Sequence, residues 1–228
     1  MDLEIAKKSA CLLATGEIKD GMILGLGTGS TVKYAILEIG RLCEEGMELT
    51  GIPTSEATRM LATNCGIPLT TIDNVECIDL TIDGADEVSP DFQLIKGMGG
   101  ALTREKIIAQ ASKEMYVVVD DTKIVEKLGT KSPLPVEVVN GYEIYMEKRL
   151  SKMTDGKGKI RKKEGNIYKT DNGNPVVDLS FNRIEEPLHL SNVLSGTAGV
   201  VEHGLFLNLA NRVFVGKSDG SSFEQRKL

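Results

Sequence analysis

Tryptophan is absent from the 228-residue chain, histidine occurs only twice and cysteine four times. The two histidines, His189 and His203, lie far from every cysteine in sequence, and no C-x-x-C pair is present. This spacing matches neither a zinc site nor a compact Cys/His dyad, although the partners of such a dyad need only be close in space. The cysteines are therefore predicted to be buried, reduced thiols: Cys11, Cys43, Cys65 and Cys77.

An excess of positive charge and a long apolar run are also lacking. The formal net charge is -6, so the chain has no basic footprint for nucleic acid. The lysine-rich residues 157–163 are interpreted as the solvated face of a hairpin. No apolar run approaches the about 18 residues that span a bilayer, and the acidic start (Asp2, Glu4) does not resemble a signal peptide. We therefore expect a cytoplasmic protein with no membrane or nucleic-acid partner.

Strand and helix patterns alternate along the first half of the chain. Short apolar, β-branched runs predict strands at residues 22–26, 48–52, 77–82, 92–95 and 115–119. Apolar residues at helical spacing predict helices at 2–16 (capped by Asp2), 32–43 (capped by Ser30 or a neighbour), 54–66 and 103–112. This alternation predicts an α/β fold: a Rossmann-like parallel sheet covered by helices.

The pattern changes after Gly129. Strands are expected at 136–139 and on either side of the turn-rich 170–174, with a helix at 142–150. The order of elements predicts an α/β catalytic domain at 1–129 plus 203–228, with a smaller α+β domain inserted at 130–202. A strand at 213–215 is expected to return to the main sheet.

Polar loops directly follow the predicted strands, and in parallel sheets ligands bind beyond the carboxyl ends of the strands. The first loop, GLGTGST (25–31), combines backbone N–H groups with the hydroxyls of Thr28, Ser30 and Thr31, which suits a phosphate. Ser30 stands where a dinucleotide fingerprint needs glycine, and no G-K-[ST] follows. A tight strand–helix turn without a ligand is the alternative interpretation.

Two aspartates follow the strand at 77–82. Asp83 and Asp86 are close enough in sequence for their charges to repel, which can raise one pKa into a range useful for proton transfer. The alternative is an Asx-type turn that ends the strand. The neighbouring Glu87 is expected to be solvated.

A lysine and a glutamate flank the next glycine-rich loop. Lys96 precedes the run Gly97-Met98-Gly99-Gly100, where its ammonium can face a developing oxyanion. Glu105 lies near the start of the following helix, whose dipole favours the charged carboxylate, so a useful base there needs partial desolvation. Alternatively, Glu105 is an ordinary first-turn carboxylate.

The strings GLGTGST, TSEAT, DGADE, KGMGGALTREK, DDTK and PLPVEV, in this order, resemble the A-type family of ribose-5-phosphate isomerases. The resemblance covers essentially the whole chain, including TDNGN (170–174) and GVVEHGLF (199–206). It implies an aldose–ketose isomerase of the non-oxidative pentose phosphate pathway that interconverts D-ribose 5-phosphate and D-ribulose 5-phosphate through an enediolate. It also implies that no metal or nucleotide cofactor is used, and that the chain forms a homodimer or homotetramer.

The resemblance assigns roles to individual residues. Glu105 would be the proton acceptor, and Lys96 would stabilise the enediolate. Asp83 is our candidate for ring opening, and Asp86 would orient hydroxyls or Lys96. Lys7 would reach the phosphate. The residues expected to bind substrate are Thr28, Gly29, Ser30, Thr31, Asp83, Gly84, Ala85, Asp86, Lys96, Gly97, Met98, Gly99 and Lys123.

One position of the segment Lys96–Gly100, called the lysine loop below, departs from the family pattern. Met98 stands where the family often has glycine, which matters if the backbone there needs a conformation open only to glycine. We expect Gly100 to supply that freedom instead.

Two other functions use similar architecture. A non-catalytic sugar-phosphate sensor needs the phosphate loop but not Glu105 and Lys96 together. An amino-sugar phosphate deaminase or a lactonase is expected to place a histidine in the crevice, and no predicted site loop contains one.

Overall fold

The computed structural model describes residues 3–225, so the predicted cap Asp2 lies outside the described residues. The α-helices in this range are α1 (Leu3–Thr15), α2 (Val32–Glu44), α3 (Glu56–Asn64), α4 (Leu102–Gln110), α5 (Glu143–Thr154) and α6 (Pro187–Ser195). Short 3₁₀ turns occupy Ile72–Asn74 and Asp121–Lys123. None of these helices has both the length and the apolar character needed to cross a bilayer.

The strands in the same range are mostly short. They are β1 (Ile23–Leu26), β2 (Thr50–Pro53), β3 (Ile78–Asp83), β4 (Glu87–Val88), β5 (Leu94–Ile95), β6 (Ser112–Asp120), β7 (Leu134–Val138), β8 (Lys157–Ile160), β9 (Lys162–Lys163), β10 (Asn166–Ile167), β11 (Val176–Ser180), β12 (Val200–His203), β13 (Leu205–Phe206), β14 (Arg212–Gly216) and β15 (Ser222–Gln225).

The chain divides into two compact units. The first contains the described residues up to Ala85, then Arg104–Ile124 and the described residues from Asn208 onward. The second contains Asp86–Thr103 and Val125–Leu207. The second unit therefore extends beyond the predicted 130–202 at both ends, and it also takes in residues 86–103.

The first unit is built on a six-stranded sheet in the order β15-β14-β6-β3-β1-β2. The neighbouring pairs from β2 to β14 are parallel, and β15 joins antiparallel at the edge. Leu24, Ile82, Val118 and Phe214 from these strands share one buried cluster with residues of α1 and α2. The predicted parallel, helix-covered sheet is confirmed, and so is the return of residues 213–215 to it.

The second unit contains three small sheets. A four-stranded antiparallel sheet has the order β12-β7-β11-β8, and β9 pairs with β10 as a hairpin. In the third sheet β5 lies between β4 and β13, because Leu94 and Ile95 pair with both neighbours. This pairing explains why residues 86–103 group with the second unit rather than with the sheet that precedes them.

Glu87 corrects the expectation of a solvated side chain. It is completely buried, and its carboxylate accepts backbone hydrogen bonds from Gly129 (2.6 Å), Lys131 (2.5 Å) and Ser132 (2.6 Å). These N–H groups provide the polar partners that a buried carboxylate requires. Glu87 therefore fixes the loop 129–132 inside the second unit.

We expect Glu87→Gln to lower the free energy of unfolding by about 2–4 kcal/mol. The amide nitrogen would replace an acceptor oxygen and face a backbone donor, leaving that donor buried without a partner. Urea denaturation measures the change, and Glu126→Gln, an exposed glutamate of the same unit, serves as the control. A loss below about 0.5 kcal/mol, typical of surface changes, would contradict the structural role.

The cysteine prediction is right for one residue only. Cys11 is fully buried, its Sγ donates to the Thr31 carbonyl at 3.2 Å, and burial raises the pKa of its thiol to about 12. Cys43, Cys65 and Cys77 are free thiols, but they are only half-buried. They lie at or just beyond the ends of elements, where packing covers one side of the side chain.

Candidate active site

The candidate residues are divided between the two units. Thr28–Thr31, Asp83–Ala85, Glu105 and Lys123 belong to the first unit, and Asp86 and Lys96–Gly99 belong to the second. In the first unit β1, β3 and β6 are parallel neighbours. The loops that follow these strands therefore leave the sheet at the same edge, as predicted.

Asp83 ends β3 and is completely buried. Its Oδ1 accepts hydrogen bonds from the backbone N–H groups of Thr28 (3.1 Å) and Gly84 (2.7 Å). A Cβ at Gly27 would lie only 2.2 Å from the same oxygen, so glycine is required for this close approach. The aspartate and the glycine turn are thus held together, and the carboxylate orientation is fixed by the backbone.

The Thr28 hydroxyl takes part in a cluster of hydroxyl groups that the sequence did not reveal. Its Oγ1 lies 2.7 Å from the Thr54 hydroxyl, 2.8 Å from the Ser55 hydroxyl and 3.1 Å from the Thr58 hydroxyl. Thr58 also donates to the carbonyl of Gly27 at 2.7 Å. The threonines of the TSEAT segment therefore brace the glycine turn from the neighbouring strand–helix loop.

The rest of the glycine turn is open to solvent. Gly29 and Ser30 are exposed, and Gly29 has φ 118°, which only glycine adopts without strain. The cap position of α2 is Thr31 rather than Ser30, and its side chain makes no capping hydrogen bond. In the first turn of α2 the N–H groups of Lys33 and Tyr34 donate instead to the carbonyls of Gly29 (3.2 Å) and Thr31 (3.1 Å). The positive end of the helix dipole still favours an anion beside the turn.

Glu105 lies in the first turn of α4, as predicted, and its side chain is only 3% exposed. Burial of this extent meets the condition of partial desolvation set out for a useful base. The helix start is anchored by Thr103, whose Oγ1 donates to Glu137 at 2.5 Å.

Glu137 connects the segments PLPVEV (133–138) and TDNGN (170–174), for which the sequence alone indicates no role. It is fully buried on β7 and, besides Thr103, accepts from Thr170 Oγ1 (2.9 Å), Asn174 Nδ2 (2.9 Å) and Asn172 Nδ2 (3.3 Å). The PLPVEV and TDNGN segments therefore meet at one carboxylate. The same carboxylate accepts the hydroxyl of Thr103, so all of these contacts lie within the second unit.

The lysine loop of the second unit has unstrained backbone at Met98. Gly97 and Gly100 have φ values of 103° and 80°, whereas Met98 is not among the described non-glycine residues with positive φ. Gly100 donates to the Gly97 carbonyl at 2.9 Å and closes a turn. Asp86 accepts the Met98 N–H at 3.0 Å. The departure at Met98 thus changes the side chain, which is 43% exposed, and not the turn.

Lys96 is almost completely buried, with 2% of its surface exposed. Its side-chain Nζ lies 5.3 Å from the centroid of the Phe206 ring. Its backbone N–H donates to the Gly204 carbonyl at 2.9 Å. A Cβ at Gly204 would lie 2.2 Å from the Lys96 carbonyl oxygen. The GVVEHGLF segment therefore supports the lysine through its backbone and one aromatic ring.

Two further lysines were predicted to act on substrate. Lys123 ends the 3₁₀ turn after β6 and is half-buried, and the turn is capped by the Asp120 carboxylate, which accepts the Thr122 N–H at 3.0 Å. Lys7 lies on α1 and forms an ion pair with Glu4, with an Nζ–Oε1 distance of 2.7 Å. Lys123 thus lies at the carboxyl end of the sheet, whereas Lys7 pairs with an acidic residue of its own helix.

The sequence and the fold both match known proteins. The sequence profile of ribose 5-phosphate isomerase A (phosphoriboisomerase A) matches residues 50–220. A ribose-5-phosphate isomerase A of Streptococcus agalactiae is 48% identical over 94% of this chain and 96% of its own length. A solved D-ribose-5-phosphate isomerase in complex with phospho-erythronic acid has a TM-score of 0.95 and 38% identity, covering 99% of this chain and 100% of its own. The Plasmodium falciparum ribose 5-phosphate isomerase has a TM-score of 0.93 and 37% identity, with coverage of 97% and 98%. The chain belongs to the ribose 5-phosphate isomerase A family.

Proposed function

We propose that this chain interconverts D-ribose 5-phosphate and D-ribulose 5-phosphate through an enediolate. The observation that carries the proposal is the full-length similarity to ribose-5-phosphate isomerases, in a chain that retains a buried carboxylate at Glu105. The phospho-erythronic acid bound to one similar structure is a phosphorylated sugar acid. Its planar carboxylate has the two-oxygen geometry of an enediolate, which supports the same reaction class here.

The phosphate is assigned to the glycine turn and the start of α2. The exposed Gly29 and Ser30 offer backbone N–H groups, and Ser30 and Thr31 add hydroxyl donors. Thr28 contributes its position and its N–H contact with Asp83 rather than a free hydroxyl, because that hydroxyl already belongs to the cluster with Thr54. Lys123, at the end of the 3₁₀ turn that follows β6, adds positive charge for the dianion.

Ring opening is assigned to Asp83. The cyclic sugar opens when the proton of the C1 hydroxyl is removed and the ring oxygen is protonated. Hydrogen bonds from Thr28 and Gly84 fix one oxygen of this carboxylate, so its orientation is set before substrate arrives. Gly84 and Ala85, which follow Asp83 in the chain, line the sugar with their backbone. Asp86 orients hydroxyl groups of the sugar or the lysine loop.

Glu105 then moves the proton between the two carbons. It removes the proton from C2 of the aldose, and the C1 carbonyl becomes an enediolate oxygen. The proton of the C2 hydroxyl passes to O1, and C2 becomes the carbonyl carbon as the same carboxyl returns its proton to C1. Negative charge that develops on the oxygens is stabilised by the Lys96 ammonium and by the N–H groups of Gly97 and Gly99, since the Met98 N–H donates to Asp86. Each group is preorganised by packing, since both Glu105 and Lys96 are buried.

The family resemblance also supports a cytoplasmic homodimer or homotetramer. Sedimentation velocity of the purified chain measures its assembly directly. The substrate partner is a small sugar phosphate, and no step of the proposed reaction requires a nucleic acid or a membrane.

Purified protein treated with a metal chelator is expected to convert ribose 5-phosphate into ribulose 5-phosphate at an undiminished rate. Ribose without the phosphate is the matched control. It should turn over far more slowly, because the binding energy between the phosphate and the glycine turn is lost. The ketose product is followed by its absorbance or by NMR. Binding of ribose 5-phosphate without any turnover would contradict the proposal and favour the sugar-phosphate sensor.

A further inference from the structure

Arg161 is an exception within the lysine-rich segment that was interpreted as a solvated hairpin face. Lys159, Lys162 and Lys163 are exposed as expected, but the Arg161 side chain is only 11% exposed. Its guanidinium forms a two-pronged ion pair with Asp178, with Nε–Oδ2 and Nη2–Oδ1 distances of 2.9 and 2.5 Å. Such forked pairs hold an arginine in a single orientation.

The remaining nitrogen of this guanidinium reaches the lysine loop. Arg161 Nη1 donates to the carbonyls of Gly97 and Met98, both at 3.0 Å. Tyr168, whose ring centroid lies 5.7 Å from the Arg161 guanidinium carbon, donates through its hydroxyl to the Gly99 carbonyl at 3.3 Å. Two partly buried side chains therefore hold the carbonyls of three successive loop residues.

These contacts determine which way the peptide planes face. In a trans peptide the C=O and the following N–H point in opposite directions. Because Arg161 holds the Gly97 carbonyl, the Met98 N–H points away from it, and this N–H reaches Asp86 Oδ2 at 3.0 Å. The same geometry, applied to the Met98 carbonyl, directs the Gly99 N–H away from Arg161. The arginine thus sets the direction of two N–H groups next to Lys96.

We propose that Arg161, held by Asp178, is a positioning residue for the isomerase reaction. It fixes the peptide planes of the Lys96–Gly100 loop, so that the Gly99 N–H and the Lys96 ammonium are oriented for the negative charge of the enediolate. Donors that are already oriented cost no reorganisation when charge develops, which is the main source of oxyanion stabilisation. This role rests on the proposed function of the chain.

A purely structural role predicts a different result. If Arg161 only ties the β8–β9 segment to the second unit, its removal lowers stability and leaves the kinetics of the folded fraction unchanged. If it orients the loop, its removal lowers kcat more than it raises KM, because the affected donors act mainly in the transition state. The division of the effect between kcat and KM therefore separates the two roles.

Arg161→Ala is expected to lower kcat for ribose 5-phosphate by about tenfold to hundredfold, since a small misplacement of reacting groups costs up to about 10²-fold. KM is expected to change by less than about threefold. Arg161→Lys should not restore kcat, because a single ammonium cannot hydrogen-bond to the Asp178 carboxylate and to the Gly97 and Met98 carbonyls at the same time. Millimolar methylguanidinium should partly restore kcat of Arg161→Ala by occupying the vacated site.

Arg149→Ala is the matched control, because Arg149 also stacks on a tyrosine of the second unit, 6.0 Å from the Tyr145 ring centroid, but lies on the exposed face of α5. Should Arg161→Ala fail to fold, Asp178→Asn, which weakens the fork while keeping its shape, decides the question by the same kcat and KM measurements. Unchanged kcat in the folded Arg161 or Asp178 variants, with an active parent chain, overturns the positioning role alone. A parent chain inactive on ribose 5-phosphate overturns the proposed function and this role together.

Discussion

Replacing Glu105 with glutamine is expected to lower kcat for ribose 5-phosphate by about 10²–10⁴-fold, the usual contribution of a general acid–base group. The substitution keeps the size and hydrogen-bonding shape of a side chain that is only 3% exposed, so the fold should tolerate it. An amide cannot accept the C2 proton, and therefore the chemical step is lost. KM should stay within a few-fold of the parent value, since the phosphate contacts are untouched.

The measurement is steady-state isomerase kinetics, together with exchange of the C2 proton of ribose 5-phosphate with deuterated solvent. Glu143→Gln is the control, because Glu143 is likewise the first-turn acid of a helix, α5, but belongs to no candidate site segment. Turnover of Glu105→Gln equal to that of the parent chain would exclude Glu105 as the base. Loss of isomerisation with intact proton exchange would place its role in a different step.

Replacing Lys96 with methionine is expected to lower kcat by about 10²–10³-fold, comparable to removal of one oxyanion donor. Methionine has a similar unbranched length and packs well beside aromatic rings, so it can occupy the buried position near Phe206. What is lost is the positive charge that would face the developing enediolate. The effect should therefore fall on kcat more than on KM.

The same kinetic assay checks this prediction, with Lys148→Met on the exposed face of α5 as the control. A rise in KM at unchanged kcat would contradict it, because it would mean that Lys96 binds the ground state and the transition state equally. Unfolding curves of both variants establish that the change in rate is not a change in the folded fraction.

Periodicity was sufficient to predict the parallel sheet. The apolar runs at 22–26, 77–82 and 115–119 correspond to β1, β3 and β6, because strands buried on both faces leave a continuous hydrophobic signal. The segment 92–95 was only half right. Phe92 has φ 61°, which ends a turn and cannot belong to a strand, so β5 begins at Leu94.

The second unit was harder to predict because its order depends on contacts between distant residues. The two-residue strands β4 and β13 are too short to show any period. Helix α6 also escaped prediction, although Pro187 at its start is typical of a first helical turn. Glu87 is acidic and close to Asp86, and nothing local indicates that N–H groups of the 129–132 loop will surround it.

For the candidate site, the sequence indicated the residues expected to face substrate better than the residues that hold them in place. The burial of Glu105 is not predicted by its position, because a first-turn glutamate can equally face solvent. The location of the loops after parallel strands does follow from a general rule of α/β sheets. The partners of these groups do not, since Glu137 reaches Thr103 and the 170–174 turn only through tertiary packing. The burial of Arg161 could not be predicted from the sequence. It lies among lysines of equal charge, and charge alone does not indicate which side chain packs inward.

The buried Cys11 has a practical consequence. Its Sγ lies against the carbonyl of Thr31, at the start of the helix that follows the glycine turn. A thiol with a pKa of about 12 supplies almost no thiolate at neutral pH, so an alkylating reagent can reach it only when this part of the molecule opens. The half-buried Cys43, Cys65 and Cys77 have no comparable protection. The rate at which Cys11 is alkylated therefore measures how often the segment next to the glycine turn opens. Comparing this rate with and without a sugar phosphate would show whether the ligand suppresses the opening.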